Sequence, residues 1–399
     1  NLDSWMCSRK YLKALYDDVM EEDSLAIVEG VMGLYDGAYA KKSTGSTAEI
    51  AGLLGLPVIL IINGEAMARS AAALVKGFAE FDPKVNLIGV IANRVNSPGH
   101  AAILKDAIHH HTPVKFLGHV PSSPLLKMES RHLGLYQDHE QDEGFYDRWA
   151  EHIERHINIK FILKNLRFKT SANKQTQKTP KRFGKSHKGS FRVGVARDEA
   201  FRFVYQDTLD FFAHRGADVR FFSPLRNKKL PERCDWLYIP GGYPELHAAE
   251  LSANRSMRSA LRNFAGSGKA LVAECGGLMY LGNTLVDETG QPHPMVGLYK
   301  FSTSMVDKKL TLGYRRLNFE DPLSAGKKIS LRGHEFHYST LIENQETPQM
   351  SMPIPASAPS VQDGFIYKNC FSFYSHLYWP AAPEWLKFIL NLTQHGHEA

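Results

Sequence analysis

Apolar and polar positions alternate along the first half of the chain in two distinct patterns. Short β-branched runs at 25–29, 56–63 and 86–95 are bounded by Gly, Pro or polar residues, which predicts strands buried on both faces. Between them, 46–54 and 66–78 have helix-forming composition, giving a β-α-β succession and an α/β layer with a parallel sheet. The second half repeats the theme. Strands are predicted over 191–196, 218–222, 236–239 and 270–274, with helices over 201–214 and 248–265. A last apolar strand ends near His376 before a helix over 383–394. No apolar run approaches the roughly 20 residues of a membrane-spanning helix, and the first residues lack a charged-then-apolar leader, so a cytoplasmic protein without a membrane partner is expected.

The length of 399 residues suggests about two domains. The formal charge of +6 comes from one place: 155–192 holds twelve Lys/Arg and no Asp or Glu, leaving 36 basic against 42 acidic residues elsewhere. The stretch 170–190 is poor in aliphatics and rich in Ser, Thr, Gln, Lys and Gly, so it cannot offset its own chain entropy by burial. It reads as a flexible basic linker (155–190) between domains at 1–154 and 191–399. A nucleic-acid arm would need aromatics interleaved for stacking, and Phe183 and Phe191 are thin support, so no nucleic-acid partner is expected. The four cysteines make no CxxC, which fits a reducing compartment and argues against a zinc ribbon or disulfide framework.

Parallel sheets place ligands at the carboxyl ends of their strands. In the first half those ends carry Glu29, Gly30, Gly33 and Gly37, then Asn63, Gly64 and Glu65, then Asn93 and Arg94. Glycines let backbone N–H groups approach a phosphate, and a carboxylate such as Glu29 can hold Mg²⁺ directly or through water; ordinary turns would look the same. No GxxxxGK[ST] loop is present. Gly184-Lys185-Ser186 has Thr179 where the first Gly belongs, and Gly268-Lys269 runs on to Ala270 and a strand. A β-α-β domain without its first strand and phosphate loop reads as one cut at its N-terminus.

The second half carries sharper chemistry. Cys275 follows the 270–274 strand and precedes Gly276 and Gly277 on a strand-to-helix turn. A helix N-terminus favours a thiolate, and flanking glycines leave room for a substrate carbonyl and for N–H donors to its oxyanion. His376 ends a strand on the same edge of the sheet and is the candidate general base. Pro240-Gly241-Gly242 forms another glycine turn that can supply an oxyanion donor. Cys234 and Cys370 look like buried structural thiols. His334 and His337 lack an evident third ligand, and structural or substrate-facing roles suit them better than a metal site.

These residues carry a resemblance. Pro240-Gly241-Gly242, Glu274-Cys275-Gly276-Gly277 and a late His are similar to class I glutamine amidotransferase domains. The fuller strings IPGGYPE (239–245), ECGGLMYL (274–281), LGYRR (312–316), RGHEFHYS (332–339), NLDSWM (1–6), EGVMGLYDG (29–37), MARSAAAL (67–74) and GVIANRV (89–95) resemble the cobyrinic acid a,c-diamide synthases, in the expected order over nearly the whole chain.

The resemblance implies a P-loop-type (dethiobiotin synthetase-like) domain followed by a flavodoxin-like class I amidotransferase domain. It implies ATP, Mg²⁺ and glutamine as reactants or cofactors, and a corrinoid macrocycle as the substrate amidated on two acetate side chains. Cys275 would attack glutamine and His376 would move the proton, with Gly241, Gly242 and Gly276 at the oxyanion; Glu29 would be the metal- or substrate-side carboxylate and Asn93 would read the adenine edge. It further implies an acyl phosphate that captures ammonia, and that a chain lacking the phosphate loop does not synthesise amides. Where the wider class has an acid two residues after the histidine, this chain has Tyr378, so the triad becomes a dyad, with Glu335 the candidate to orient His376. Asn63 stands where the family has Asp, which weakens a metal role there. Hydrogenobyrinate and nickel-sirohydrochlorin are alternative macrocycles; a glutaminase with a degenerate nucleotide domain and a nucleic-acid-binding ATPase-like protein are the competing classes.

Overall fold

A computed structural model describes residues 1–21, 24–124, 144–166, 181–183, 190–321, 327–352 and 361–395. The chain divides into two compact units: Leu15–Gln175, and Asp3–Ala14 together with Thr176–Ala399. The first helix, α1 (Arg9–Val19), thus contributes its opening turns to the later unit.

The Leu15–Gln175 unit is built on three parallel strands, β1 (Val58–Asn63), β2 (Leu87–Asn93) and β3 (Lys115–Val120), side by side in that order. Helices α2 (Thr47–Leu54), α3 (Arg69–Phe81) and α4 (Pro98–His111) alternate with them, and α5 (Phe145–His156) and α6 (Ile159–Asn165) follow. Their starts are written locally. The Ser46 hydroxyl accepts from the N–H of Glu49 at 3.2 Å while the Glu49 carboxylate accepts from Gly45 at 3.1 Å, and Ser97 caps α4 with Pro98 at its first position. Val75, Val90, Ala92, Leu104 and Ile108 are fully buried between the layers. The strand expected over 25–29 does not form. Among the described residues no strand pairs with it, and Leu25, Ile27 and Val28 stand exposed; a β-branched run becomes a strand only where a neighbour takes its N–H and C=O groups.

The second unit has β4 (Phe191–Ala196), β5 (Ala217–Phe222), β6 (Trp236–Ile239) and β7 (Ala270–Glu274) where the pattern predicts strands. It then adds β8 (Thr284–Val286), β9 (Pro292–Pro294), β10 (Ser302–Ser304), two long strands β11 (Thr311–Asp321) and β12 (Lys327–His337), β13 (Thr340–Ile342), β14 (Met350–Met352), β15 (Val361–Asp363), β16 (Phe365–Tyr367), β17 (Cys370–Phe373) and β18 (His376–Leu377). The central sheet runs β16-β17-β7-β6-β4-β5, parallel except for β16. A five-stranded sheet runs β15-β14-β11-β12-β18 and a smaller one β13-β10-β8-β9. One side of the central sheet buries Trp236, Trp379, Trp385 and Phe212; another cluster gathers Leu237, Leu271, Leu278 and Phe301.

Five helices cover this unit: α7 (Gln206–His214), α8 (Ala248–Ala253), α9 (Arg255–Gly266), α10 (Gly276–Leu281) and α11 (Pro383–His395). The helix expected from 201 begins only at Gln206, because the N–H of Phe203 is drawn to the carbonyl of Gly241. The helix expected over 248–265 breaks at Asn254, whose side chain caps α9 through the N–H of Met257 while its amide donates to the carbonyls of Pro224 and Asn227.

Part of the basic segment is ordered as well. Residues 159–165 are helical, and Lys181–Phe183 forms a short 3-10 turn with the Arg182 side chain only 4% exposed. Arg182 holds Asp207 at 2.8 Å and Asp210 at 3.2 Å. The remainder of the expected linker, 167–180 and 184–189, lies outside the described residues.

Candidate active site

The candidate site lies where β7, β17 and β18 meet. Cys275 leaves β7 and caps α10 with φ 47° and ψ −104°, a backbone region that costs a non-glycine residue about 1–3 kcal/mol. Its N–H bonds to the carbonyl of Phe373 and its carbonyl receives the N–H of Met279, so the turn is held from both sides. After β17 the chain bends at Tyr374 and Ser375 and changes sheets, so that His376 pairs with His334 of β12.

Glycines are required for this closeness. A Cβ on Gly241 would collide with Cε1 of His376 and lie 3.0 Å from its Nδ1 and 3.4 Å from Cβ of Cys275. A Cβ on Gly276 would come within 3.0 Å of the Gly242 nitrogen and 2.8 Å of Pro244. One on Gly242 would strike the carbonyl of Ala200. The structure therefore brings Gly241, Gly242, Gly276, Cys275 and His376 into one cluster. The N–H of Gly276 lies on the sulfur's side and favours its charged form, and among the described residues no group accepts from the N–H of Gly242.

The resting electrostatics disfavour charge on the pair. Burial, reinforced by the charge of Glu245, raises the Cys275 thiol well above its ordinary value, against the pull of the Gly276 N–H. Burial, followed by the charges of His334 and His337, lowers His376 well below the usual histidine range. Burial thus disfavours the charged form of both side chains. Glu274, pushed up to about 8 by burial, accepts from Tyr238 at 3.0 Å, from the Trp379 indole at 3.1 Å and from the N–H of Leu377, which anchors β7 to the strand carrying His376.

The orientation expected for His376 is corrected. Glu335 does not reach it: its carboxylate is bonded to the Arg315 guanidinium and, at 3.1 Å, to Nε2 of His337. Burial pushes Glu335 up, but these partners outweigh it and leave its pKa lowered. Alternation along β12 explains the miss, since Glu335 and His334 point to opposite faces. Tyr378, in the acid's place, donates instead to Asp207, which also takes the hydroxyl of Tyr11 at 2.5 Å. His337 spends both ring nitrogens, on Glu335 and on the carbonyl of Ser339, and stacks on Tyr374, a structural role.

An early segment missed as part of this unit is Asp3–Ala14. Asp3 accepts from the Tyr314 hydroxyl at 2.7 Å, and Trp5 stacks on Tyr314 with centroids 4.7 Å apart. Arg332 lies over the Trp5 ring and donates to its carbonyl. No local signal in NLDSWM pointed to partners some 310 residues away. In β12 the positions of Ile329, Leu331, Gly333, Glu335 and His337 are buried with period two, but only Ile329 and Leu331 show this in sequence, since Glu335 and His337 are polar.

The Leu15–Gln175 unit carries the residues expected on the nucleotide side. Asn93 ends β2, level with Asn63, and its side-chain oxygen accepts from Arg94 at 3.0 Å. Glu29 is exposed on the unpaired 25–29 stretch, so it does not end a strand as expected, and it makes no bond to Asn93. Among the described residues no group of three His, Cys, Asp or Glu side chains could hold a metal ion. Mg²⁺ beside a nucleotide needs no such group, since one or two carboxylates hold it together with phosphate oxygens and water. No helix among the described residues is long and apolar enough to cross a membrane.

Comparison with known proteins agrees with the two units. The family profile described as CobB/CobQ-like glutamine amidotransferase domain matches residues 192–383, and that described as AAA domain matches 10–130. Cobyrinate a,c-diamide synthase of Dehalococcoides mccartyi is 39% identical over 99% of this chain and 86% of its own length. The Salmonella typhimurium protein of the same name is 37% identical, covering 98% and 85%. Hydrogenobyrinate a,c-diamide synthase of Brucella abortus is 39% identical, covering 88% and 79%. With that identity sustained over nearly all of its residues, the chain belongs to the cobyrinate a,c-diamide synthase family.

Proposed function

We propose that the chain is a glutamine- and ATP-dependent ligase that turns the a and c acetate carboxylates of cobyrinate into amides, with Cys275 and His376 as its glutamine-hydrolysing pair. Family membership supports the reaction class, and the clustering of Cys275, Gly241 and His376 carries the assignment of roles. In this reading His376 takes the Cys275 proton as sulfur attacks the side-chain amide carbon of glutamine. The N–H groups of Gly276 and Gly242 receive the developing oxyanion, a contribution of ~3 kcal/mol for each such donor. His376 then returns the proton to the departing ammonia, leaving a γ-glutamyl thioester that water hydrolyses with His376 again as base. The ammonia displaces phosphate from an acyl phosphate formed on the acetate with ATP, which replaces a poor leaving group with a good one. Mg²⁺ would accompany the nucleotide, with Glu29 the residue proposed on its side and Asn93 at the adenine.

Cys275→Ser is expected to abolish glutamine-dependent amidation while ammonia-dependent amidation continues. Unchanged glutamine use in that variant would remove Cys275 from the chemistry. Because one similar relative is named for hydrogenobyrinate, the assay is run with cobalt-containing and metal-free macrocycles; amidation of the metal-free one alone would overturn the choice of cobyrinate.

A further inference from the structure

The pair described above lacks the acid that commonly orients a catalytic histidine. Among the described residues, four carboxylates on the neighbouring strands and turns have partners of their own. Asp207 serves Tyr378, Tyr11 and Arg182; Glu335 serves Arg315 and His337; Asp363 accepts from the N–H groups of Gly364 and Tyr374; and Glu274 takes Tyr238 and Trp379. None of these carboxylates bonds to His376. Something else must stop its ring from turning.

His334 does occupy that place. It is the cross-strand partner of His376, and the two rings are nearly parallel, 17° apart with centroids at 5.0 Å. Directly opposed residues on paired strands bring their Cβ atoms to ~5 Å, which lets flat side chains lie on one another. The backbones are pressed together at this point, since a Cβ on the neighbouring Gly333 would collide with the carbonyl of His376. The ring of His376 is also confined by Gly241, where even a methyl group would strike its Cε1, and by Phe203, with centroids at 6.2 Å.

We infer that His334 is a positioning residue for glutamine hydrolysis, holding the His376 ring by face-to-face stacking in the role that a hydrogen-bonded acid fills in a triad. The inference rests on the reading of Cys275 and His376 given above. The stack fixes the ring plane, and the close wall at Gly241 against Cε1 and Nδ1 holds one ring edge in place within it. When His376 takes the proton, the imidazolium lies against the π face of His334, whose own protonation is disfavoured by burial. The flat ring is the active feature, so phenylalanine should replace it and a branched aliphatic should not.

The test measures glutaminase kcat and KM for His334→Phe, His334→Leu and His334→Ala in the full protein, with thermal midpoints to show that each variant is folded. The expected result is that H334F keeps kcat within about threefold, while H334L and H334A lose on the order of 100-fold in kcat with KM little changed, the size expected when a reacting group is misplaced by about an ångström. Should H334A fail to fold, the comparison of H334F with H334L decides alone. Wild-type kcat in folded H334L, or H334F as slow as H334L, would overturn the stacking role. Cys275→Ser is assayed alongside. If it leaves glutamine use intact, the reading of the site fails; if it abolishes glutamine use while H334L is normal, only the present inference fails.

Discussion

Glu274 shows how one buried side chain ties the site to pH. Its ordinary carboxyl value is 4.5 and burial pushes it to about 8 in the folded chain, although three donors reach it. Between those values the folded protein holds a proton that the unfolded chain has lost, so stability falls as pH rises through this window and levels off above about 8. Glu274→Gln should remove that slope. A glutamine amide nitrogen cannot accept, so one of the donors from Tyr238 and Trp379 loses its partner at a cost independent of pH, and the slope, not the absolute stability, is the readout. Denaturant unfolding at pH 5 and pH 8.5 should show E274Q gaining on the parent by a few kcal/mol, at about 1.4 kcal/mol for each pH unit of displaced titration. Parallel curves would mean that Glu274 titrates normally. At this scale the sequence was informative for Cys275 and His376, whose neighbours in the chain already suggested turns and strand ends. It was silent on Glu274, because burial is set by β4, β6 and β17 on either side of β7.

Among the elements, the Asp3–Ala14 segment and the β11–β12 pair matter most to the site. Trp5 is 5% exposed and packed between Tyr314 and Arg332, whose strands lead directly to His334 and His376. Truncating a buried aromatic of this kind costs about 3–5 kcal/mol. Trp5→Ala should lower the thermal midpoint of the second unit clearly, and Trp5→Phe should recover much of the loss; a midpoint unmoved by W5A would show that the segment does not contribute to stability. The strands near 58–63, 87–93, 191–196, 217–222, 236–239 and 270–274 were legible from composition and period, whereas β3 and α4 were not read, although Ser97 caps α4 as Ser46 caps α2. The stretch at 25–29 has the composition of a strand and is not one, and 248–265 breaks where Asn254 finds three backbone carbonyl and amide partners. Both outcomes depend on what lies beside the element.

For the whole molecule the basic segment is the feature whose meaning changed. It accounts for the net positive excess, and one of its members, Arg182, is buried against Asp207 and Asp210, where it is unavailable to an anionic partner. Nonspecific DNA binding draws on free cations that displace counterions, so little should be seen at physiological salt. Mobility shift with duplex DNA at about 0.15 M salt is expected to show no complex below the ~10⁻⁴–10⁻⁶ M range of nonspecific association; tighter binding would revive the nucleic-acid reading. Sequence by itself determined the two α/β units, the nucleophile turn, the histidine at a strand end and the family, because each is written in short-range pattern: apolar period, glycine placement and ordered motifs. Tertiary structure alone decided that Asp3–Ala14 packs with residues nearly the whole chain away, that Glu335 faces Arg315 and His337, and that His334 lies on His376. Strand pairing and alternation settle which face a side chain takes and what it meets there, and neither is contained in the residues nearby.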